Sequence, residues 1–160
     1  MNKILVENKE VLAAIRAAFK VLKVDGVALD VYLVSEKVIT GLNKKFRRFD
    51  KATNVLSFEN GNFPHPETKL RYLGEIYLCP AYILKELRVP GVLRGVKPEM
   101  RLMELAVHGA LHLLGYNHEK KSDRIEMEKI EDKIFKENVF YGSGYRFVTD
   151  KGFGRRLRQK

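Results

Sequence analysis

The fold of this chain is organised around residues 98–118, which read PEMRLMELAVHGALHLLGYNH. Pro98 is suited to the first turn of a helix, and apolar residues follow it on almost every side of that helix. A helix with so little polar surface is typical of the buried centre of a domain. Gly115 stands where the end of a helix needs a left-handed residue. The stretch therefore predicts a central buried helix over 98–114, followed by a turn.

Three of the four histidines of the chain lie in this stretch. His108 and His112 are four residues apart, so both rings leave the same face of the helix one turn apart. The turn at Gly115 allows the chain to bring His118 to the same point. Three imidazoles that leave a fourth position for water are the pattern of a catalytic zinc site. We expect one Zn²⁺ per chain on these three rings; the alternative is a set of buried or solvated histidines without a metal.

The composition favours one globular domain in a reducing compartment. With 45% hydrophobic and 31% charged residues in a chain of 160, the sequence has enough apolar side chains to bury a core. The lone cysteine, Cys79, excludes an intramolecular disulfide and a cysteine zinc cluster, so metal ligands must be histidine or oxygen. This cysteine usage leads us to expect a cytoplasmic protein. No apolar run approaches the ~20 residues of a membrane helix, so we expect no membrane span.

The net charge of +10 favours a polyanionic partner, although charge alone does not identify nucleic acid. Residues 1–140 are predicted to form a single catalytic, metal-binding domain, and residues 141–160 a basic C-terminal extension. Aromatic and basic residues alternate in that extension, so it either contacts single-stranded RNA or packs on the domain.

The remaining sequence alternates between helical and strand patterns, which predicts an α+β fold. Asn8 and Ser35 are suited to cap helices, and Val38, Ile39, Leu42 and Phe46 are expected to face inward from the second helix. Helices are predicted at about 9–23, 35–47, 80–88, 98–114 and 122–137, and strands at about 27–34, 53–58 and 72–78.

Three segments resemble, in the same order, motifs of the YbeY family of bacterial endoribonucleases. HGALHLLGYNH at 108–118 is similar to the family pattern HGxLHLxGYDH, with Asn117 in place of Asp. LNKKFRRFDKATNVLSF at 42–58 is similar to LNxxYRxxDxPTxVLSF, with Phe46 and Ala52 as departures, and LGEI at 73–76 is similar to LGDI.

The resemblance implies a compact, layered, zincin-like fold with a small mixed β-sheet packed with helices. It implies a zinc-dependent, single-strand-specific endoribonuclease that acts in ribosomal RNA maturation and ribosome quality control. Ribosomal RNA and the ribosome or its small-subunit components are then the expected partners. His108, His112 and His118 correspond to the zinc ligands, and Arg47 and His112 to catalytic residues.

Other residues carry weaker expectations. The basic residues Lys44, Lys45, Arg48 and Lys51 flank Arg47 and either hold neighbouring phosphates or form a solvated face. Asn117 can orient a ligand by a hydrogen bond but supplies no charge; equally, it can simply shape a turn. Glu104, one helical turn before His108, either supports that ring or pairs with Arg101 or Lys97, and we expect the salt bridge. His65, in a loop bracketed by prolines, is expected to lie at the surface.

Two other functions compete with RNA cleavage. A zinc metallopeptidase also places two histidines at this spacing, but it needs His-Glu-x-x-His, and residue 109 is Gly. A ribosome-binding assembly factor would use the metal only to hold the fold. If the chain does cleave RNA, the sequence leaves open whether water or the RNA 2′-OH is the nucleophile.

Overall fold

The computed structural model describes residues 1–137, which form four strands and five helices. The predicted domain boundary at residue 140 and the basic segment 141–160 lie outside the described residues. In chain order the elements are β1 (Lys3–Leu5), α1 (Lys9–Val21), β2 (Val27–Leu33), α2 (Glu36–Arg47), β3 (Val55–Glu59), β4 (Arg71–Leu78), α3 (Pro80–Leu87), α4 (Pro98–Leu113) and α5 (Lys121–Glu137). Among these described elements, no helix has both the length and the apolar surface that a membrane crossing needs.

The strands form one mixed sheet in the order β1-β2-β4-β3. β1 and β4 both pair with β2 in parallel, whereas β3 pairs with β4 in the antiparallel direction. This arrangement confirms the predicted α+β class and the small mixed sheet. β1 was not predicted, because three residues are too few to show a period. Its position is held by Asn2, whose side chain donates to the Val24 carbonyl at 2.7 Å and accepts from the Val27 amide at 3.1 Å.

Helices cover the sheet on both faces and give the fold its layers. α1, α3 and α4 pack on one face, where Ile15, Leu29 and Ile76 are among the fully buried side chains. α5 lies beyond them and packs on α1 and α4. α2 lies on the opposite face, over β3. The helix with the histidines is therefore enclosed by helices and sheet, as the sequence predicts.

The helix caps are confirmed, but the inward face of α2 is only partly right. The Val11 amide donates to Asn8 Oδ1 at 2.9 Å and the Val38 amide to Ser35 Oγ at 3.3 Å. Ile39 is buried, and Leu42 packs beside it. Val38 and Phe46 remain 47% and 56% exposed, because α2 contacts the sheet through a single stripe.

The expectation that His65 lies at the surface is wrong, since its side chain is 2% exposed. Its Nδ1 accepts from the amides of residues 67 and 68, so Nε2 carries the proton and donates to Asp30 Oδ1 at 3.3 Å. The Tyr72 hydroxyl donates to the other Asp30 oxygen at 2.7 Å. A buried carboxylate on β2 needs donors, and the proline-bracketed loop folds back to supply one.

Gly109 sets the distance between α4 and the sheet. A Cβ added at this position would lie 2.9 Å from Ser57 Oγ on β3 and 3.1 Å from the Ile76 side chain on β4. A real Cβ essentially never approaches as closely as 2.9 Å, so a larger residue at 109 requires the Ser57 and Ile76 side chains, or the helix itself, to shift.

We predict opposite stability changes for two glycine-to-alanine substitutions in helices. Gly109→Ala should lower the free energy of unfolding by about 1–3 kcal/mol, because it overpacks the contact with β3 and β4. Gly41→Ala in α2 should raise it by roughly 0.5–1 kcal/mol, since no atom lies within 4 Å of the added Cβ and the unfolded chain loses entropy. Urea unfolding of both variants measures the contrast. Equal changes would mean that α4 does not pack this closely.

Candidate metal centre and active-site cleft

The end of α4 brings the three predicted histidines together. The Tyr116 amide donates to the Leu111 carbonyl and the Gly115 amide to the His112 carbonyl, which is the Schellman arrangement of a helix end. Gly115 takes a φ of +95°, which favours glycine, and reverses the chain there. One nitrogen from each of His108, His112 and His118 can be chosen so that all three lie within 4.8 Å of one another.

Hydrogen bonds on the far side of two rings orient the site. His108 Nδ1 lies 2.9 Å from Glu131 Oε1, and His112 Nδ1 lies 2.9 Å from the Tyr116 carbonyl oxygen. Both partners are acceptors, so each Nδ1 carries a proton and donates it. The Nε2 atom of each ring is then the one with a lone pair, which is the form that binds a metal.

The two Nε2 atoms lie 3.0 Å apart. With both protons on Nδ1, two lone pairs face each other at this distance, and a cation between them would turn that repulsion into attraction. A zinc–nitrogen bond is roughly 2.0–2.1 Å long, so both atoms can bind the same ion. The donor set of three imidazoles suits Zn²⁺ as well as other first-row divalent ions. Among the histidine, cysteine and acidic side chains of residues 1–137, these three histidines form the cluster that could hold a metal ion.

Arg47 lines the same cleft as the histidines. The cleft has a volume of ≈ 530 Å³ and lies between the end of α4, the residues leading into β3, and the end of α2. The neighbouring Lys44, Lys45 and Arg48 are not among its lining residues, and Lys51 lines an adjoining recess instead. Of the basic residues in the motif around Arg47, therefore, Arg47 itself faces the candidate metal site.

Glu131 is the residue of the site that sequence reasoning missed. It lies on α5, 23 positions after His108, and it is 4% exposed. Its apolar neighbours Met127 and Ile134 are buried with it. A buried glutamate inside such a stripe was the available signal, because a carboxylate in that position needs a donor. Nothing in the sequence pointed to His108 as that donor, since only the packing of α5 on α4 brings them together.

Three further residues can now be located. Glu104 accepts from Arg101 at 3.2 Å within α4, as expected. Asn117 lies at the cleft, and its Oδ1 accepts from the Glu119 amide at 3.4 Å, which is the turn-shaping contact. Cys79 is fully buried, and burial raises the pKa of its thiol, so the reactive thiolate is disfavoured.

Comparisons with known proteins agree with one another. The model of the family described as Endoribonuclease YbeY matches residues 2–139. Proteins named Endoribonuclease YbeY from Persephonella marina and from Buchnera aphidicola (subsp. Baizongia pistaciae) are 32% and 36% identical to the chain, over 150 and 104 residues. The match covers 87% of the chain and 94% of the Persephonella protein, against 65% of the chain and 64% of the Buchnera protein.

A second Buchnera aphidicola relative, from the subspecies Schizaphis graminum, is 38% identical over 66% of the chain and 63% of its own length. The chain thus spans slightly less than two thirds of both Buchnera proteins. Among solved structures, the solution structure of a Thermotoga maritima protein is similar to this chain. The alignment covers 91% of this chain and 100% of the Thermotoga chain. Its TM-score is 0.55, at 28% identity.

We predict that Glu131→Ala lowers metal affinity by about 10–100-fold, the usual effect of removing a carboxylate that orients a ligating histidine. Glu131→Gln keeps an acceptor oxygen for His108 Nδ1 and should lose less. Glu126→Ala, on an exposed position of the same helix, is the matched control. Competition with a chromogenic chelator measures all three. If the Glu131 and Glu126 variants bind metal equally well, Glu131 serves the fold alone.

Proposed function

Because the chain belongs to the YbeY endoribonuclease family, we propose that it is a metal-dependent endoribonuclease that cleaves single-stranded RNA. The observation that carries this proposal is the meeting of three histidine side chains with Arg47 in one open cleft. His108, His112 and His118 would hold the metal. Arg47 and His112 would be the catalytic residues, His112 through its nitrogen on the ion.

We propose zinc as the ion, on a zincin-like arrangement in which a buried helix supplies two ligands and the chain after its turn the third. Imidazole suits zinc, and three protein ligands leave a position for water or substrate. When bound, such an ion polarises a phosphoryl oxygen and lowers the pKa of a coordinated water.

The residues around the ion would each have a separate role in binding and catalysis. Glu131 and the Tyr116 carbonyl hold the two rings of α4 in the tautomer that presents Nε2. The planar guanidinium of Arg47 matches two phosphate oxygens and stabilises the negative charge that grows on the phosphoryl group. RNA carries its own 2′-OH next to the scissile bond, so the nucleophile is either that hydroxyl or water.

The competing functions are less well supported. A metallopeptidase requires a glutamate after the first histidine, and at residue 109 even a Cβ would collide with Ser57. An assembly factor with a purely structural metal would favour a fourth protein ligand, whereas the cluster of histidine, cysteine and acidic side chains within residues 1–137 contains three histidines and no fourth member. The exposed position of His118 also leaves the site open to a substrate.

We propose ribosomal RNA as the substrate, with action in its maturation and in ribosome quality control, and with the ribosome or its small subunit as partner. The net charge of +10 supports a polyanionic substrate. The free thiol of Cys79 supports a reducing, cytoplasmic location. The basic segment 141–160 would add phosphate contacts outside the catalytic domain of residues 1–140.

The central test compares metal-loaded wild-type protein with His112→Ala on a single-stranded RNA and on the same RNA annealed to its complement. We expect cleavage of the single strand and a loss of more than about 100-fold in the variant, because losing a metal ligand exceeds the effect of losing its outer partner. A 2′,3′-cyclic phosphate on the product would identify the 2′-OH as nucleophile. Binding without cleavage in the wild type under all metals tested would favour the assembly-factor function.

Arg47→Ala should lower RNA cleavage by about two to three orders of magnitude, the scale of losing one oriented donor to the developing charge. Metal content should stay unchanged, since Arg47 is not a ligand. Arg48→Ala is the matched control, because Arg48 is the adjacent exposed arginine and does not line the cleft. Turnover numbers and elemental analysis measure both effects. Near-normal turnover in Arg47→Ala, or loss of its metal, would assign Arg47 a surface or structural role.

A further inference from the structure

A second recess adjoins the metal cleft and shares a wall with it. It has a volume of ≈ 260 Å³ and lies between the end of α2, the loop before β3, and α3. Arg47, Thr53 and Asn54 line both the recess and the cleft. An RNA strand that runs from the candidate metal site past Arg47 therefore reaches this recess next. Its size is just below the roughly 300–1,000 Å³ of pockets for drug-sized ligands, which suits one flat ring system.

The rim of the recess is aromatic and basic. The Phe49 side chain is large and apolar, yet 52% of the residue is exposed to solvent. Lys51 Nζ lies 5.8 Å from the centre of the Phe49 ring, within reach of a cation–π contact. Tyr82, half-buried on α3, lines the same recess. Aromatic faces beside a cation are the combination that binds single-stranded nucleic acid by stacking.

Two residues that line the recess, Asn43 and Glu86, each have a buried acceptor oxygen. Asn43 Oδ1 and Glu86 Oε2 are buried, and within the described residues neither has a hydrogen-bond partner. Buried polar groups are normally satisfied, and a nucleobase has N–H and amino donors whereas a phosphate has none to offer at neutral pH. The carboxyl of Glu86 also disfavours an anion here. The recess thus suits a base, and its basic rim suits the phosphates on either side.

The recess is held in shape before any ligand arrives. The Asn43 side chain donates to the Lys51 carbonyl at 2.8 Å, and Lys44 pairs with Asp50 at 2.6 Å, which together anchor the loop that bears Phe49. On the other side, the Asn54 side chain donates to Glu86 Oε1 at 3.0 Å. A preformed site loses less entropy on binding than a flexible one.

Building on the proposed function, we propose that this recess binds one unpaired nucleobase of the substrate, next to the phosphate at the metal, with Phe49 as its stacking surface. Arg47 then stands between the base and the reacting phosphate. A base that enters the recess cannot remain paired, so the recess supplies a physical reason for cleaving single strands and sparing duplexes.

The test is a double-mutant cycle that combines a protein substitution with an RNA substitution. The dissociation constant is measured for single-stranded oligonucleotides that carry one abasic residue at each position in turn. Phe49→Ala should weaken binding of the intact oligonucleotide by about 5- to 150-fold, the fold-change that corresponds to one stacked base. One abasic position should weaken wild-type binding to a similar degree and should have little further effect on Phe49→Ala. Phe49→Leu keeps apolar volume without the ring and should behave like Phe49→Ala.

Phe63→Ala is the matched control, because Phe63 is 70% exposed and lines neither the cleft nor the recess. Thermal unfolding of each variant verifies that the fold is intact. The proposal is overturned if the protein and abasic effects add at every position, or if Phe63→Ala weakens binding as much as Phe49→Ala. Wild-type cleavage is scored separately. If the effects on binding are non-additive but no RNA is cleaved, the recess proposal stands and the proposed nuclease function fails. If RNA is cleaved but the effects on binding add, the nuclease function stands and the recess proposal fails.

Discussion

The close contact between Gly109 of α4 and the side chains of Ser57 and Ile76 is the one on which the rest of the structure depends. It brings the helix so near β3 and β4 that an added Cβ would lie 2.9 Å from Ser57 Oγ and 3.1 Å from the Ile76 side chain. The histidines on either side of that contact are thereby placed beside β3, and Arg47 reaches the same cleft from the end of α2. The missing Cβ at Gly109 thus allows both this packing and the position of the histidines that could bind a metal.

The same contact separates this site from that of a helix-borne metallopeptidase. In those enzymes the residue after the first histidine is the glutamate that takes a proton from the metal-bound water. Here that position is a glycine used for packing, so the glutamate of those enzymes is missing from it. Under the proposed function this loss is tolerated, because a bound ion would acidify water and RNA has an internal hydroxyl. Arg47 would then stabilise the negative charge that develops on the phosphoryl group.

Three sets of buried polar side chains each have a structural consequence. Arg101 and Glu104 form an ion pair within the central helix, where both side chains are buried in the core. His65 and Tyr72 satisfy Asp30 on the far face of the sheet. Glu131 satisfies His108 and so connects α5 to the metal site. The hydrogen bond between His108 and Glu131 has a second effect. Because it holds the proton on His108 Nδ1, His108 Nε2 keeps a lone pair that can bind an ion.

How far the sequence predicts this protein depends on whether the information is local. The apolar pattern of α4, the four-residue spacing of His108 and His112 and the glycine at 115 are all local, and they predicted the helix, the shared face and the turn. The helix caps at Asn8 and Ser35 were local as well. The short strand β1 exists only because β2 is there to pair with it, and its three residues have no pattern of their own.

Contacts between distant residues were decided by tertiary structure alone. The burial of His65 depends on Asp30, 35 positions away, and the orientation of His108 depends on Glu131, 23 positions away. The recess beside Arg47 is enclosed by α2 and α3, which no pattern in either segment connects. Sequence by itself determined which residues could form each element and which could bind a metal. Which of them meet was decided by packing, because the free energy of burying a charge or filling a gap exists only once the neighbouring element is in place.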